Sequence, residues 1–301
     1  WRAGHNLHCQ GPHQDKLRPL LKAATRDAGS LTSQLAHISA DGLLSTCSNA
    51  ASNETPNSEN RFRYASLTKL LTAQAVLQAM QEADLPLDTR LSHFIGQASE
   101  AADTRWQQIT INQLLTHSAG LDRLKTPDPM TAHGRTPWCP GNLDRLKTTK
   151  LDFDPGTGYA YSNLTYCLLG VVLEQLDTTD FRSAMDNRLK LANYDIRFVD
   201  GPYLPDEVRY DFRHAGFYGD DYWRYLDFPA LSSAAGLSGS ANALVRLLRD
   251  LKQTGQLSVL PDALPEGCNP SQKRNCYGPA LFPYQQDEQS PLLWVQQGYV
   301  F

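Results

Sequence analysis

Residues 62–80 read FRYASLTKLLTAQAVLQAM, and this stretch contains Ser66 three positions before Lys69. The apolar residues that follow recur at helical spacing, which predicts a long helix beginning at Ser66. Residues three apart share one helix face, so the Lys69 amine is expected within reach of the Ser66 hydroxyl. A desolvated amine can accept the serine proton, and the helix N-terminus adds a positive partial charge beside the hydroxyl. A chance Ser-x-x-Lys on a solvated face is the alternative, so the interpretation needs support from other segments.

A second candidate segment is FDPGTGYAYSN at residues 153–163, which precedes an apolar run. Side chains two apart in an extended segment point the same way, so Tyr161 and Asn163 can reach one cavity. A phenol near ammonium groups can serve as a general base, and an amide can orient a substrate carbonyl. The alternative interpretation is an aromatic loop that caps a helix over 164–176.

A third segment, ITINQLLTHSAGL at residues 109–121, contains a histidine near the end of a short helical pattern. Leu114 and Leu115 are expected to face a core, and Gly120 to be the residue that follows the helix end. His117 could pair with a serine nucleophile. Because Lys69 already supplies a base, we expect His117 to be a hydrogen-bonded structural group.

Together these segments resemble the serine β-lactamase and penicillin-recognising family, in the branch of class C β-lactamases, DD-peptidases and family VIII esterases. The family pattern Phe-x-x-Ala-Ser-x-x-Lys is matched by residues 62–69, and Ile-Thr-Ile-x-x-Leu-Leu-Thr-His-x-x-Gly-Leu by residues 109–121. Residues 155–170 match Pro-Gly-x-x-x-x-Tyr-Ser-Asn-x-x-Tyr-x-Leu-Leu-Gly, and residues 235–240 resemble the return into the sheet. The resemblance covers roughly residues 30–301, and the combination of motifs is specific although each motif alone is not.

The resemblance implies a serine hydrolase that forms an acyl-enzyme on an ester or amide, as an esterase or a D-Ala-D-Ala carboxypeptidase-like enzyme does. Ser66 would be the nucleophile, Lys69 with Tyr161 would transfer the proton, and Asn163 would position the acyl group. The backbone N–H groups of Ser66 and Tyr299 would form the oxyanion hole. This chemistry uses no cofactor or metal. The alternative is a catalytically impaired relative that binds a cell-wall peptide or a partner.

The family also has a Lys-Thr-Gly or His-x-Gly motif on a strand that lines the site, and the matching stretch here is WVQQGY at residues 294–299. Gly298 fits, since close backbone approach to a substrate needs a missing Cβ. Gln296 and Gln297 depart from the pattern, because neutral amides cannot supply charge-assisted binding of a carboxylate. We expect these residues and Tyr299 to bind substrate, and we expect esters or amides without a carboxylate anchor.

The implied fold is an α/β (α+β) β-lactamase/transpeptidase-like fold of two subdomains. Residues 1–65 and 232–301 would form an antiparallel sheet flanked by helices, and residues 66–231 would form an inserted all-helical subdomain. The active site is expected at their junction, since clefts between subdomains commonly hold small-molecule sites. The family sheet has two more strands and a helix after residues 294–299, one strand being central. We therefore expect a truncated chain, or a nicked protein whose second polypeptide completes the sheet.

The composition of the 301-residue chain limits the classes of partner. The formal net charge is −4 and 41% of residues are hydrophobic, with no basic tract of the kind that follows a phosphate backbone, which argues against nucleic-acid binding. No apolar run reaches membrane-spanning length. The family resemblance implies a small molecule or a peptidoglycan-like peptide as the partner. The chain begins with Trp1 rather than Met, so we expect that an export signal has been removed.

Six cysteines allow fifteen pairings and favour an oxidising compartment, so we expect an exported protein, periplasmic or secreted. Two pairings are favoured by position: Cys9 with Cys47, and Cys268 with Cys276. Cys139 lies in a Pro-rich loop. The sixth, Cys167, is expected to be a free thiol in the core.

Several further features have two interpretations. The N-terminal group His5, His8, Cys9 and His13 could hold a metal, but a disordered arm with one disulfide is favoured. Arg63 is expected at the surface. The aromatic-rich residues 209–228 would form either a pocket wall or plain core packing.

Local signals also predict elements outside the motifs. Residues 15–28 are expected to form a helix and residues 31–47 a hairpin turning at Asp41-Gly42. Asn53 begins an N-glycosylation acceptor sequence in a polar loop over 48–60.

Overall fold

The computed structural model describes residues 7–28, 32–50, 57–126, 137–209, 223–224, 226–265 and 267–299. The expectations for His5, for the glycosylation site at Asn53 and for most of the aromatic stretch 209–228 fall outside these residues.

The described residues form seven α-helices and eight short strands. The helices are α1 Gln14–Ala28, α2 Thr68–Glu82, α3 Ile111–Leu115, α4 Asn163–Asp177, α5 Phe181–Leu189, α6 Phe228–Ala235 and α7 Ala241–Gln253. The strands are β1 Leu7–Gln10, β2 Ser33–Ile38, β3 Leu44–Asn49, β4 Phe62–Arg63, β5 Arg197–Phe198, β6 Leu237–Gly239, β7 Phe282–Tyr284 and β8 Leu293–Val295. Among these residues no helix has both the length and the apolar character needed to cross a bilayer.

The N-terminal part is a three-stranded antiparallel sheet with helices packed on it. Strand β3 lies between β1 and β2, and both α1 and α7 contact this sheet. Leu17 and Leu21, one turn apart on α1, are buried against Cys47 of β3, which explains why this amphipathic segment is helical. The helix predicted at 15–28 and the hairpin predicted at 31–47 are both confirmed, with Gly42 at a φ of +82° in the turn.

Three helices form the centre of the molecule. Helix α2 packs against α4 and α6, and α3 packs on α4. Eleven of the fifteen residues of α2 are buried, including polar ones, so this helix is enclosed on nearly all sides. Its N-terminal end is where Lys69 lies. Leu114 and Leu115 of α3 are fully buried in the same core, as predicted.

Two smaller sheets flank this centre. Strand β6 pairs antiparallel with β4 and with β5, and β7 pairs antiparallel with β8. The described strands thus form three separate antiparallel sheets rather than the one sheet predicted, because short strands are interrupted by turns and helices. Strand β5 lies inside 66–231. The division into residues 1–65 with 232–301 and residues 66–231 stays a prediction.

Three disulfides link the described parts of the chain. Cys9–Cys47 and Cys268–Cys276 form as predicted. The prediction of a free Cys167 is wrong: this residue of α4 is bonded to Cys139, twenty-eight positions earlier. Burial alone could not distinguish a thiol from a bridged cysteine, and the partner lies on a loop without a periodic signal. Three disulfides are typical of proteins that fold in an oxidising environment outside the cytosol.

Local geometry around the motifs also corrects the sequence interpretation. Ser66 lies in a 3₁₀ turn, Ala65–Leu67, and α2 begins at Thr68 rather than at Ser66. Helix α3 ends at Leu115, and His117 with a φ of +55° takes the left-handed position predicted for Gly120. A hydrogen-bonded turn therefore precedes the helix and holds the serine apart from the regular α2 ladder.

Candidate active site

The turn that carries Ser66 is fixed on both sides by backbone contacts. The Tyr64 N–H donates to the carbonyl of Leu237 at 2.8 Å, and the Leu67 N–H donates to the Tyr64 carbonyl at 2.9 Å. Ala65 has a φ of +45°, a left-handed conformation that costs a residue with a side chain about 1–3 kcal/mol. Such backbone strain is retained only where surrounding contacts enforce it, and it sets the direction of the Ser66 side chain.

Lys69 is fully buried and makes three hydrogen bonds. Its Nζ donates to Ser66 Oγ at 3.2 Å, to Asn163 Oδ1 at 2.7 Å and to the Ala234 carbonyl at 2.8 Å. Three acceptors satisfy the charge of a buried ammonium. The sequence prediction that the amine reaches the Ser66 hydroxyl is thus matched by the coordinates, although the serine lies just before α2.

Tyr161 approaches the same hydroxyl from a different segment. Its OH donates to Ser66 Oγ at 2.6 Å, and its ring lies 4.9 Å from Lys69 Nζ. The Tyr161 carbonyl accepts from the Arg123 N–H at 3.4 Å, and the Ala160 N–H donates to the His117 carbonyl at 3.1 Å. These contacts hold the irregular segment in front of α4, whose first residue is Asn163. The two side chains therefore converge on one place, as their spacing predicted.

His117 is buried beneath Tyr161 and is hydrogen-bonded, as predicted. Its Nδ1 lies 3.0 Å from the Thr165 hydroxyl, and its ring centre lies 4.5 Å from that of Tyr161. Burial first, and then the nearby cations Lys69 and Arg123, hold the pKa of His117 well below its ordinary value. The ring is therefore neutral and supports Tyr161 without adding a charge.

The segment after β8 lies directly against the Ser66 turn. Gln296 Nε2 donates to the Ser66 carbonyl at 3.0 Å, and Gln296 Oε1 accepts from the Tyr277 hydroxyl at 2.8 Å. A Cβ added at Gly298 would lie 2.2 Å from the Tyr64 carbonyl oxygen. No side chain fits there, which agrees with the predicted need for glycine. The side-chain amide of Gln296 therefore links the Ser66 turn to Tyr277.

A cleft of about 700 Å³ opens over Ser66. Tyr161, Asn163 and the predicted substrate-binding residues Gln296, Gln297, Gly298 and Tyr299 line it. Apolar side chains form much of the remaining wall: Val199, Leu226, Phe228, Leu231 and Phe282.

Arg63, predicted at the surface, is buried at the edge of the cleft. It forms an ion pair with Glu207, whose side chain is buried as well, and its Nη2 donates to the Gly201 carbonyl at 2.8 Å. The prediction was wrong because the paired carboxylate is 144 positions away in the chain. A buried charge is tolerated when such a partner is present.

Four contributors to the site were missed from the sequence: Ala234, Tyr277, Arg123 and Arg274. The Ala234 carbonyl contributes only a backbone atom, for which the residue type carries no signal. Arg123 and Arg274 lie in irregular segments, and their proximity to Ser66 depends on tertiary packing. Tyr277 lies 116 positions after Tyr161, so nothing local in the sequence indicated that it reaches the same site.

His8 and His13, the two N-terminal histidines that the structure describes, do not line this cleft. Cys9 is bonded to Cys47, so its thiolate is not available as a metal ligand. No cluster of three or more potential metal-binding side chains occurs among the described residues.

Comparison with known proteins assigns the chain to a family. The family model described as Beta-lactamase matches residues 26–299. The probable fimbrial assembly protein FimD of Dichelobacter nodosus serogroup H1 is 39% identical over 99% of this chain and 77% of its own length, and the FimD protein of serogroup D is 40% identical over the same shares. The esterase EstB of Burkholderia gladioli is 32% identical over 42% of this chain and 34% of its own length.

A solved structure confirms the fold. The D-amino acid amidase of Ochrobactrum anthropi SV3 superposes with a TM-score of 0.70 at 18% identity, covering 91% of this chain and 82% of the amidase. At this level of identity the likeness supports the fold, and the chemistry must be argued from the site itself.

Proposed function

The chain belongs to the beta-lactamase family, and from that premise we propose that it is a serine hydrolase that forms an acyl-enzyme on Ser66. The substrate would be an ester or an amide, small-molecule or peptide, as in the esterase and D-Ala-D-Ala carboxypeptidase-like branch of the family. One observation carries the proposal: the Ser66 hydroxyl is contacted by Tyr161 OH at 2.6 Å and by Lys69 Nζ at 3.2 Å.

Lys69 and Tyr161 would act together in proton transfer. In its neutral form the Lys69 amine has two N–H groups for the two carbonyl oxygens of Asn163 and Ala234, and one lone pair that can accept the proton of Ser66. Tyr161, whose OH lies 2.6 Å from Ser66 Oγ, offers a second route for the same proton. Either route removes the serine proton within hydrogen-bond distance.

Acylation then forms a bond between Ser66 Oγ and the carbonyl carbon of the substrate. The serine proton passes through the Tyr161–Lys69 pair to the leaving alcohol or amine as its bond breaks. Water attacks the acyl-enzyme in the second step, and its proton returns Ser66 to the hydroxyl form. The Asn163 amide, which accepts a hydrogen bond from Lys69 at 2.7 Å, would position the acyl group.

The oxyanion hole would be formed by the backbone N–H groups of Ser66 and Tyr299. Support comes from the close packing of this segment on the Ser66 turn. The collision that any Cβ at Gly298 would make with the Tyr64 carbonyl means that the chain passes as near as backbone atoms allow. Gln296, which donates a hydrogen bond to the Ser66 carbonyl, would hold the two N–H donors in position relative to each other.

The proposal is tested by covalent labelling and burst kinetics. Wild-type protein should gain one fluorophosphonate adduct on Ser66, detected by peptide mass spectrometry, and should release a burst of p-nitrophenol from short acyl esters. Ser66→Ala should lose both signals, whereas Ser99→Ala, at an exposed serine, should retain both. Equal p-nitrophenol release by wild type and Ser66→Ala would remove Ser66 from the mechanism.

A second function is favoured by the near full-length similarity to the FimD proteins. We propose that the chain takes part in fimbrial assembly, which the shorter matches to hydrolases do not suggest. With three disulfides, it would act after export, in the periplasm or outside the cell.

A complementation experiment separates a catalytic role in assembly from a binding role. A strain that lacks the gene would be complemented with wild type, Ser66→Ala or Ser99→Ala, and surface fimbriae would be counted by electron microscopy. Loss of fimbriae with Ser66→Ala alone indicates that acyl transfer is needed. Full assembly with Ser66→Ala favours the alternative, a protein that binds a cell-wall peptide or a partner without catalysis, and normal fimbriae in the uncomplemented strain would reject this function.

A further inference from the structure

The described lining of the cleft carries three cationic side chains, Arg63, Arg123 and Arg274, and no acidic one. Arg63 is compensated by the buried carboxylate of Glu207. No described carboxylate forms an ion pair with either of the other two guanidinium groups. A chain whose net charge is −4 thus has a locally positive cleft, and clefts lined by one sign of charge concentrate ligands of the opposite sign.

The loop between Cys268 and Cys276 holds Arg274 beside residues 294–299. The disulfide Cys268–Cys276 closes this loop, and Arg274 Nη2 donates to Gln297 Oε1 at 2.6 Å. The residue has a φ of +61°, a conformation that favours glycine or asparagine.

Arg123 reaches the cleft from the opposite segment. Its guanidinium carbon lies 5.1 Å from the centre of the Tyr161 ring, and its backbone N–H donates a hydrogen bond to the Tyr161 carbonyl. Burial raises the pKa of Tyr159 to about 12, while Arg274 and Arg123 both act to lower it. Arg123, Arg274 and Tyr159 all line the same cleft, so the two cations border one cavity.

We propose that Arg123 and Arg274 form an anion-binding subsite beside Ser66 that takes a carboxylate of the ester or amide substrate. Guanidinium groups bind carboxylates through paired, charge-assisted hydrogen bonds. The expectation from the sequence, that the substrate carries no carboxylate, was based only on the neutral Gln296 and Gln297 in residues 294–299. The structure supplies the missing cation from a different loop, with Gln297 as the residue that orients it.

The inference rests on the proposed hydrolase function, and a matched pair of esters tests it. The mono-4-nitrophenyl ester of glutarate carries a free carboxylate, and 4-nitrophenyl valerate is its neutral counterpart of similar length. A third ester, with the carboxylate on the nitrophenyl ring, tests the leaving-group side. Wild type should favour one of the anionic esters over the neutral one by about tenfold or more in kcat/KM, as expected for hydrogen bonds to a charged group.

The variants Arg123→Gln and Arg274→Gln should each reduce this preference several-fold, and the double variant should abolish it. The readout is the ratio of kcat/KM for the anionic and neutral esters and not the absolute rate, because Arg123 also packs on the Tyr161 ring. Arg145→Gln, at an exposed arginine away from the cleft lining, is the control and should keep the wild-type preference. High salt should weaken the preference in wild type, because the subsite is open to solvent. Equal preference in wild type and in the double variant would overturn the proposal.

A binding measurement keeps the test independent of catalysis. In the full Ser66→Ala chain, calorimetry should show tighter binding of glutarate monoamide than of neutral glutaramide, and the two arginine substitutions should remove the difference. If no ester is hydrolysed but this difference is present, the hydrolase function fails while the anion subsite stands. Equal binding of the two amides would reject the subsite whatever the catalytic result.

Discussion

At the scale of single residues, the site depends on how Lys69, Ser66 and Tyr161 share protons. Lys69 has no exposed surface and three hydrogen-bond partners, so losing any one of the partners leaves a buried group unsatisfied. Tyr161 contacts Ser66 over the shorter distance, and its ring lies against the neutral His117, 4.9 Å from Lys69 Nζ and 5.1 Å from the Arg123 guanidinium carbon. Two basic side chains therefore lie close to the phenol ring.

Tyr161→Phe should slow acylation without unfolding the protein. The substitution removes one oxygen atom from a half-buried ring and leaves Lys69 in contact with Ser66. Loss of a general acid–base group costs about 10²–10⁴-fold in rate. The rate of fluorophosphonate labelling at Ser66 measures this, with Tyr284→Phe on β7 as the matched control. Labelling at the wild-type rate would assign proton transfer to Lys69 alone.

His117→Asn should change the pH dependence of stability. Asparagine tolerates the positive φ at this position. In wild type the pKa of His117 is depressed by burial, so the unfolded chain binds a proton below about pH 6.5 that the folded chain does not. Stability is thus lost as pH falls from about 6.5 towards the folded pKa, by up to about 1.4 kcal/mol per pH unit.

Urea unfolding at pH 7.5, 6 and 5 checks this sign. The difference in unfolding free energy between wild type and His117→Asn should shrink as the pH falls, because the variant lacks the depressed titration. A difference that stays constant over this range would show that His117 titrates alike in both states.

At the scale of elements, the site is built where separate segments end. The turn before α2 supplies Ser66, the irregular segment before α4 supplies Tyr161, and the last turn of α6 supplies the Ala234 carbonyl. The segment after β8 is joined to the Ser66 turn by Gln296, whose side chain bonds both the Ser66 carbonyl and Tyr277. Ends of elements leave backbone groups free to bond, which is why these side chains and carbonyls can converge.

Gly298→Ala should separate the β8 segment from the Ser66 turn. Its Cβ would lie 2.2 Å from the Tyr64 carbonyl, so backbone must shift, and the proposed Tyr299 oxyanion donor would shift with it. Loss of one such donor costs about 10²–10³-fold in kcat. Ester hydrolysis measures the loss.

Gly96→Ala is the control for this substitution, because nothing lies within 4 Å of a Cβ built there. Its activity should equal that of wild type. Unchanged activity in Gly298→Ala would mean that Tyr299 does not contribute to an oxyanion hole.

At the scale of the whole molecule, a central group of helices is tied to peripheral loops by disulfides. Cys139–Cys167 attaches the loop after residue 136 to α4, and Cys268–Cys276 closes the loop that carries Arg274. The cleft over Ser66 lies among these parts, and its lining comes from segments spread from residue 63 to residue 299. Its shape and charge are therefore properties of the assembled chain.

Replacing Cys139 and Cys167 with alanine should destabilise the fold more than replacing Cys268 and Cys276. The bridges span 28 and 8 positions, and loop-closure entropy gives about 3.6 and about 2.5 kcal/mol for loops of those lengths. Denaturant unfolding of the two double variants measures the difference. A larger loss from the shorter loop would show that native-state contacts, not chain entropy, dominate.

The sequence alone determined what depends on neighbouring positions. The i to i+3 spacing of Ser66 and Lys69, the spacing of Tyr161 and Asn163, and the helix at 15–28 follow from local geometry. Only the tertiary structure decided the burial of Arg63 against Glu207, the bond between Cys167 and Cys139, and the placement of Arg274 beside Gln297. The physical reason is range: periodicity and turn chemistry act over a few residues, whereas these pairs form only when the packed core brings distant segments together.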